Sequence, residues 1–426
     1  MQTIFAQATA RGKAGVAIIR ISGPDAFEVG RCLLGSLPDA GRFALRDVRT
    51  PLGELLDRGL VLVFKAPASF TGEDTVELQL HGSVAVVRAV EGAIRSTGLA
   101  RLADAGEFTQ RALLNDMLDL TQVEGLGRLI DSETEAQRKV AQASFEGGLS
   151  DKAERWRHLM IRAAALLEAS IDFVDEDVPV DVVPEVQSIL MGLDTDLAKE
   201  VTGAVVAERL HDGFEVAILG APNAGKSTLL NVLADREIAI TSDVPGTTRD
   251  VIEARLDVSG LPVTFLDTAG IRDTVDVIEK IGVQRAIDRA LAADVRILLE
   301  IDDWILPDVL SDTIDFRYRA KADLSDGEGI SGRTGVGIDR LLTDIEGVLS
   351  EKMSAVRSAV TDRQRGGIEA ARVSLDAGVT VLSGTAELEL AAEHIRHAQR
   401  SLDSVIGRVD VENLLGEIFS RFCIGK

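Results

Sequence analysis

Cysteine is nearly absent: Cys32 and Cys423 are the only two in 426 residues. Two thiols so far apart make no disulfide framework, and a reducing compartment is expected. Aromatic residues are also scarce, at 4%, so aliphatic side chains and alanine must do most of the burying. Positive charge is in short supply, with 46 Lys and Arg against 69 Asp and Glu and a net charge of −23. A uniformly basic nucleic-acid binder is thereby disfavoured, because phosphate contacts need Lys and Arg. Any RNA partner would have to meet a local basic patch or a basic partner protein. No apolar run approaches the ~18 residues of a membrane span. Arg11, Lys13 and Arg20 interrupt the apolar stretch that a signal peptide would need. A soluble, cytoplasmic protein with no membrane association is expected.

What is present is ample material for cores, 46% hydrophobic residues in a chain long enough for two or three domains. Residues 1–115 alternate β-like runs (Val16–Ile21, Leu60–Phe64, Val76–Leu80) with a helical stretch from Ser83 to Thr97, which predicts a small N-terminal α/β domain. From 116 to 210 the period is helical. Trp156, Leu159, Met160, Ala163, Leu166, Leu167 and Ile171 form an apolar stripe that reads as core. At Phe214 the texture changes to strand, glycine loop and helix, and βα alternation runs to about residue 345. Helical pattern then returns over 346–426, with Leu388, Ala391, Ile395, Ala398, Leu402, Val405 and Val409 as a seam. Helices before and after a middle α/β module over 211–345 predict a guest domain inserted into a helical host.

Gly220-Ala221-Pro222-Asn223-Ala224-Gly225-Lys226-Ser227 fits G-x-x-x-x-G-K-[ST] in full, with the apolar run Phe214–Leu219 before it and a helical opening at Thr228 after it. Glycines let the backbone curl so that its N–H groups and the helix N-terminus face a phosphate. In such a loop the lysine reaches the β and γ phosphates and the serine ligates Mg²⁺. Downstream, Val263–Leu266 is a strand ending in Asp267-Thr268-Ala269-Gly270, where the acid can hold Mg²⁺ through water and the Gly270 amide can read the γ-phosphate. Between them lies Gly246-Thr247-Thr248-Arg249-Asp250, read as the loop that the γ-phosphate orders. Base reading falls to Ala320-Lys321-Ala322-Asp323 after the strand Ile314–Tyr318. The usual Asn of Asn-Lys-x-Asp is replaced by Ala320, but Asp323 can still select guanine, because guanine offers two donors to a carboxylate. Ser331-Gly332-Arg333 would follow beneath the base, with a poor match. The Gln that orients water in signalling GTPases is replaced by Ile271.

The run Asp267 to Gly282, with Arg272 and Glu279 in it, resembles the tRNA-modification GTPase family MnmE, also called TrmE. So do Asn223, Gly246–Asp250, Ile18–Gly23, Phe70–Asp74, Glu77–Gly82 and the terminal Cys423-Ile424-Gly425-Lys426. The resemblance implies an N-terminal α/β folate-binding-like domain, a helical domain and an inserted Ras-like G domain. It implies a potassium-dependent site in which Asn223, Ser242, Val244 and Thr247 hold K⁺ and Ser227 with Thr248 holds Mg²⁺. Nucleotide contacts would then come from Asn223, Ala224, Gly225, Lys226, Ser227 and Thr228. Others would come from Ser242, Asp243, Val244, Pro245, Gly246, Thr247 and Thr248, from Asp267, Thr268, Ala269 and Gly270, and from Lys321 and Asp323. Glu279 would orient or activate water through a second water, and Arg249 and Arg272 would act as switch arginines. A tetrahydrofolate derivative, 5,10-methylene or 5-formyl, would meet Arg20, Glu77, Met117 and Lys426, with Met117 standing where the family usually has lysine. Cys423 would be required for tRNA modification.

By the same resemblance the chain is a homodimer that joins an FAD-dependent subunit of the MnmG or GidA type in a heterotetramer. That assembly adds a carboxymethylaminomethyl-type group at C5 of the wobble uridine of certain tRNAs. Two other readings stay open: a ribosome-assembly GTPase, which usually appends a basic RNA-binding domain absent from this acidic chain, and a nucleotide-controlled dimer scaffold.

Overall fold

The computed structural model describes residues 1–172, 182–236, 253–267, 277–301, 306–324, 329–353, 360–384, 387–409, 415, 416, 418, 419, 422 and 425, with backbone alone at 172, 253 and 277–283. The chain folds as two compact units, Met1–Gly127 with Leu402–Lys426, and Arg128–Ser401.

In the first unit the elements are β1 (Thr3–Gln7), β2 (Val16–Ser22), α1 (Ala26–Leu34), β3 (Phe43–Arg49), β4 (Leu55–Phe64), β5 (Thr75–His81), α2 (Val84–Ser96), β6 (Ala100–Leu102), α3 (Glu107–Leu114) and α4 (Leu120–Ile130), the last reaching into the second unit. They build a six-stranded sheet in the order β3-β4-β5-β2-β1-β6. Alternation decides which face is buried: Ala17, Ile19 and Ile21 of β2 point one way and meet Val87, Val90 and Ile94, which recur at helical spacing on α2. The last part of the chain belongs to this unit as well. A Cβ on Gly425 would lie 2.1 Å from the Gln7 carbonyl oxygen, so only glycine, here at φ +104°, fits against β1.

The second unit opens with α5 (Glu135–Phe145), α6 (Gly148–Asp172) and α7 (Val183–Asp212). The module follows as β7 (Phe214–Gly220), α8 (Lys226–Ala234), β8 (Glu253–Val258), β9 (Leu261–Asp267), α9 (Val277–Ala292), β10 (Val295–Glu300), α10 (Asp308–Ser311), β11 (Phe316–Arg319) and α11 (Ile338–Met353). The helices α12 (Asp362–Ser383) and α13 (Leu388–Val405) close it. Its five-stranded sheet runs β11-β10-β7-β9-β8, parallel except for the β8–β9 pair. Six of the seven residues of central β7 are buried, the near-continuous apolar run that a parallel strand covered on both faces requires. Leu341, Ile345 and Leu349 of α11 fill one face of this sheet, each worth ~1.5–3 kcal/mol of burial.

Helices on either side of the module in sequence pair with one another: α7 lies along α6 and α12, and Arg372 clamps Asp194 at 2.7 and 3.3 Å. The α/β module is therefore an insertion between helices that form one layer. The stripe on α6 is core at Trp156, Met160, Ala163 and Leu167, whereas Leu159 is 40% exposed and faces away. On α13 the seam is buried from Ala391 through Val405. Among the described residues no helix is long and apolar enough to cross a membrane.

Candidate functional site: a phosphate loop with a base-reading edge

The site lies at the carboxyl ends of the parallel strands, where open α/β sheets leave a crevice. β7 ends at Gly220, at φ +152°, where a Cβ would sit 2.7 Å from the Leu299 carbonyl oxygen of β10. The chain then turns through Asn223 at φ +64° and Gly225 at φ +98° before α8 begins. Asn is among the few residues that tolerate the left-handed region, which explains how it can hold a place in this turn. The exposed side chain of Asn223 stands at the rim of the loop.

Lys226 is the first residue of α8 and is 6% exposed. Its ammonium donates to the Gly220 and Ala221 carbonyl oxygens, each at 2.9 Å, and so closes the loop on itself. Burial pushes this ammonium below its ordinary value, and the nearby Asp267 carboxylate pulls it back up. Ser227 Oγ donates to Asp267 Oδ2 at 2.6 Å. The other oxygen, Oδ1, is buried with no hydrogen-bond partner among the described residues. A hydroxyl and a carboxylate with a spare buried oxygen form the hard oxygen set that suits Mg²⁺ held partly through water. Ala224 is buried in the loop, and Thr228 is exposed on the first turn of α8.

At the neighbouring strand end, Ala320 forms a bridge with Ile330, Lys321 follows at φ +57°, and Asp323 sits in a 3₁₀ turn spanning Ala322–Leu324. By sequence Ser331 is a poor match for the loop beneath the base. In the fold it is buried and donates from Oγ to Asp323 Oδ1 at 2.7 Å, while the amides of Arg333 and Thr334 donate to that Oγ at 3.2 Å. The Ser331 hydrogen bond holds the Asp323 carboxyl below its usual range. Gly332 explains how this loop packs on α8: a Cβ there would lie 2.6 Å from the Leu229 amide nitrogen. Asp323→Asn is expected to cost GDP at least about tenfold in affinity, the worth of one hydrogen bond to a charged group. It should also erase the preference over ADP. Ser331→Ala should weaken GDP less and keep the preference. Competition titration with a fluorescent GDP checks both, and unchanged selectivity in Asp323→Asn would remove Asp323 from the base site.

In the first unit Arg20 and Glu77 are register partners on β2 and β5 and form an ion pair at 2.8 Å. The Arg20 guanidinium lies over Phe70 and Phe108 at 5.4 and 5.6 Å. The pair is part-buried and stacked, beyond a merely solvated contact. Met117 is 38% exposed, and its Cγ approaches Gly72. Ser242, Asp243, Val244, Pro245, Gly246, Thr247, Thr248, Arg249, Thr268, Ala269, Gly270, Arg272, Cys423 and Lys426 lie outside the described residues. Glu279 is placed by its backbone only, in the first turn of α9.

Strand, phosphate loop and helix, with a Ser–Asp pair beside them, define a P-loop GTPase. Residues 3–117 match the family model described as GTP-binding protein TrmE N-terminus, and residues 120–423 the one described as MnmE helical domain. The proteins named tRNA modification GTPase MnmE from Roseobacter denitrificans and from Cereibacter sphaeroides (strain ATCC 17029) are each 54% identical to this chain, with 100% of both chains covered. Among solved structures, Aquifex aeolicus Era bound to GDP and AlF₄⁻ is 21% identical over 38% of this chain and 66% of its own, at a TM-score of 0.22, and it carries no part of the assignment. The chain belongs to the tRNA modification GTPase MnmE family.

Proposed function

We propose that this chain hydrolyses GTP with Mg²⁺ and K⁺ and, as a homodimer joined to an FAD-dependent subunit of the MnmG type, serves C5 modification of the wobble uridine of certain tRNAs in the cytoplasm. The carbon comes from a tetrahydrofolate derivative. The observation that carries the reading is 54% identity over the full length to proteins named for GTP hydrolysis and tRNA modification, joined to an intact phosphate loop.

Lys226 leaves the two loop carbonyls for the β and γ phosphates when nucleotide enters, and Ser227 and Asp267 hold the magnesium side with Thr248. A cation there neutralises charge developing on the transferred phosphoryl group. Neither a Gln after the Asp-x-x-Gly turn nor an arginine finger is visible in the sequence, so a monovalent cation at Asn223 supplies that charge and Glu279 orients water. Arg20, stacked on Phe70 and Phe108 and paired with Glu77, offers a cation and a carboxylate to the flat, polar ring of a folate. Met117 there lacks the ammonium of its family counterpart, which weakens the grip on the folate glutamate.

Removing one electrostatic stabiliser of a transition state costs ~10²–10³ in rate. GTP turnover should therefore fall about 10²-fold when K⁺ is replaced by Na⁺. Asn223→Ala should make the two salts equal while GDP affinity stays within about threefold. Equal turnover of the parent in both salts would refute the cation site. A deletion strain should lose the wobble-uridine modification with a normal ribosome profile, and the reverse pattern would favour a ribosome-assembly GTPase.

A further inference from the structure

The β8–β9 hairpin is held at both ends by different parts of the second unit. At one end β9 finishes at Asp267, opposite Ile218 of β7 and bonded to Ser227. β8 begins there too, at Glu253, paired with Leu266 and five residues after Thr248. Asp267, read as serving the magnesium side, thus sits at this end of the hairpin.

The other end is the turn at Ser259 and Gly260, at φ +53° and +88°, about 20 Å away along strands of ~3.3 Å per residue. That end is gripped by the start of α5. At the turn the Ala136 amide donates to the Gly260 carbonyl oxygen at 3.1 Å, and farther along β8 Arg255, opposite Thr264, pairs with Glu133 at 2.8 Å. Ala136 and Val140 pack against the core of the module.

The grip is itself braced. Thr134 and Gln137 form a capping box at the start of α5. The Gln137 amide nitrogen donates to the Leu210 and His211 carbonyl oxygens at 3.1 and 3.0 Å. Those carbonyls end α7, which leads through Gly213 into β7 and the phosphate loop. One buried glutamine therefore joins the helix that holds the hairpin to the helix that feeds Lys226 and Ser227. A hairpin fixed at its far end by the same framework that carries the phosphate loop has little freedom to slide past it.

We propose that the N-terminal end of α5, with Glu133 just ahead of its cap, is a positioning element for hydrolysis: through the Glu133–Arg255 pair and the Ala136–Gly260 hydrogen bond it sets Asp267 against Ser227, and through the same contacts α5 feels the nucleotide state. The proposal rests on the reading of Asp267 as a magnesium-side residue. Coupling of this kind is reciprocal, so whatever nucleotide does to the hairpin must alter the grip on α5.

Three measurements on the full chain test it: the Mg²⁺ concentration at half-maximal GTP turnover, the release rate of a fluorescent GDP with Mg²⁺ and with EDTA, and amide hydrogen exchange over 134–138 with GDP and with GTPγS. Glu133→Ala and Arg255→Ala are each expected to raise the Mg²⁺ midpoint about two- to fivefold, the range open to an ion pair about one-third exposed. The double variant should add nothing further, and the swap of Glu133→Arg with Arg255→Glu should recover most of the loss. Turnover at saturating Mg²⁺ should not change. The Mg²⁺ contribution to slow GDP release should shrink in the single variants. Exchange over 134–138 should differ between the two nucleotides in the parent and converge in the variants. Equal exchange with both nucleotides in the parent overturns the proposal, as does an unmoved midpoint in both single variants while Asp267→Asn moves it. An unmoved midpoint in Asp267→Asn refutes the magnesium reading instead, and the exchange measurement then decides whether the grip transmits nucleotide state.

Discussion

Lys226→Ala is expected to lower GTP affinity by about 10²–10⁴-fold and to take turnover below detection at ordinary nucleotide concentrations. The ammonium is positioned to exchange one pair of acceptors for another. Without a phosphate it satisfies the Gly220 and Ala221 carbonyl oxygens. With one, it meets oxygens that carry full charge, and each such hydrogen bond is worth ~1.5–3 kcal/mol. Two of them amount to ~3–6 kcal/mol, and every 1.4 kcal/mol is about tenfold in affinity. Lys226→Arg should not restore binding, because a rigid planar fork cannot fill a slot shaped for a compact ammonium. The variant should remain folded, since the buried sheet beneath the loop does not depend on this side chain. Nucleotide titration and single-turnover hydrolysis measure both effects. A variant whose affinity falls less than tenfold would show that the lysine closes the loop and does nothing for phosphate.

The parts of this site that could be read from sequence are those where one local backbone shape demands particular residues. Gly220, Gly225 and Lys226 are fixed by the curl around a phosphate, and β7 and α8 flank them as the apolar run and the helical opening indicate. Strand boundaries moved by a residue or two in most runs: Ile314–Tyr318 became Phe316–Arg319, because Ile314 packs on the neighbouring core ahead of the ladder, whereas Leu60–Phe64 grew by five residues to Leu55–Phe64.

What could not be read are contacts made across the chain. Ser331 looked unlike its counterpart, yet it orients Asp323 from eight residues away through a loop that Gly332 lets settle on α8. No periodicity predicts that approach. β8 is a short strand in which only Ala254, Leu256 and Val258 alternate as buried positions, too brief a pattern to stand out directly after the Gly246–Asp250 motif. Gln137 gives no sequence signal beyond a Thr-x-x-Gln capping box, and its bonds to α7 depend on packing alone. Arg20 and Glu77 entered through family resemblance, and only the β2–β5 register shows why they meet.

The second large effect belongs to the end of the chain. Gly425→Val is expected to abolish wobble-uridine modification in cells while leaving GTP turnover within about twofold of the parent. Gly425 is buried against β1, at φ +104°, and a Cβ would meet the Gln7 carbonyl oxygen at 2.1 Å and its carbon at 2.9 Å. Both atoms are backbone in a strand of the sheet and cannot give way, and the φ is strained for any side chain. The tail must therefore leave this seat. Upstream it stays anchored, because Phe419 is buried beside Gly106 and rests on Phe422 at 5.8 Å, so the loss is confined to the last residues. Those residues include Cys423 and Lys426, proposed to serve the folate side, and none of the nucleotide contacts. Melting should accordingly change by a few degrees at most, and folate binding should fall with the modification. Cys423→Ser, which keeps the volume and changes the acidity, should reproduce the loss without unseating the tail. Mass spectrometry of tRNA nucleosides beside a GTPase assay separates the two activities. Full modification in Gly425→Val would show that the seat beside Gln7 is not where the tail acts.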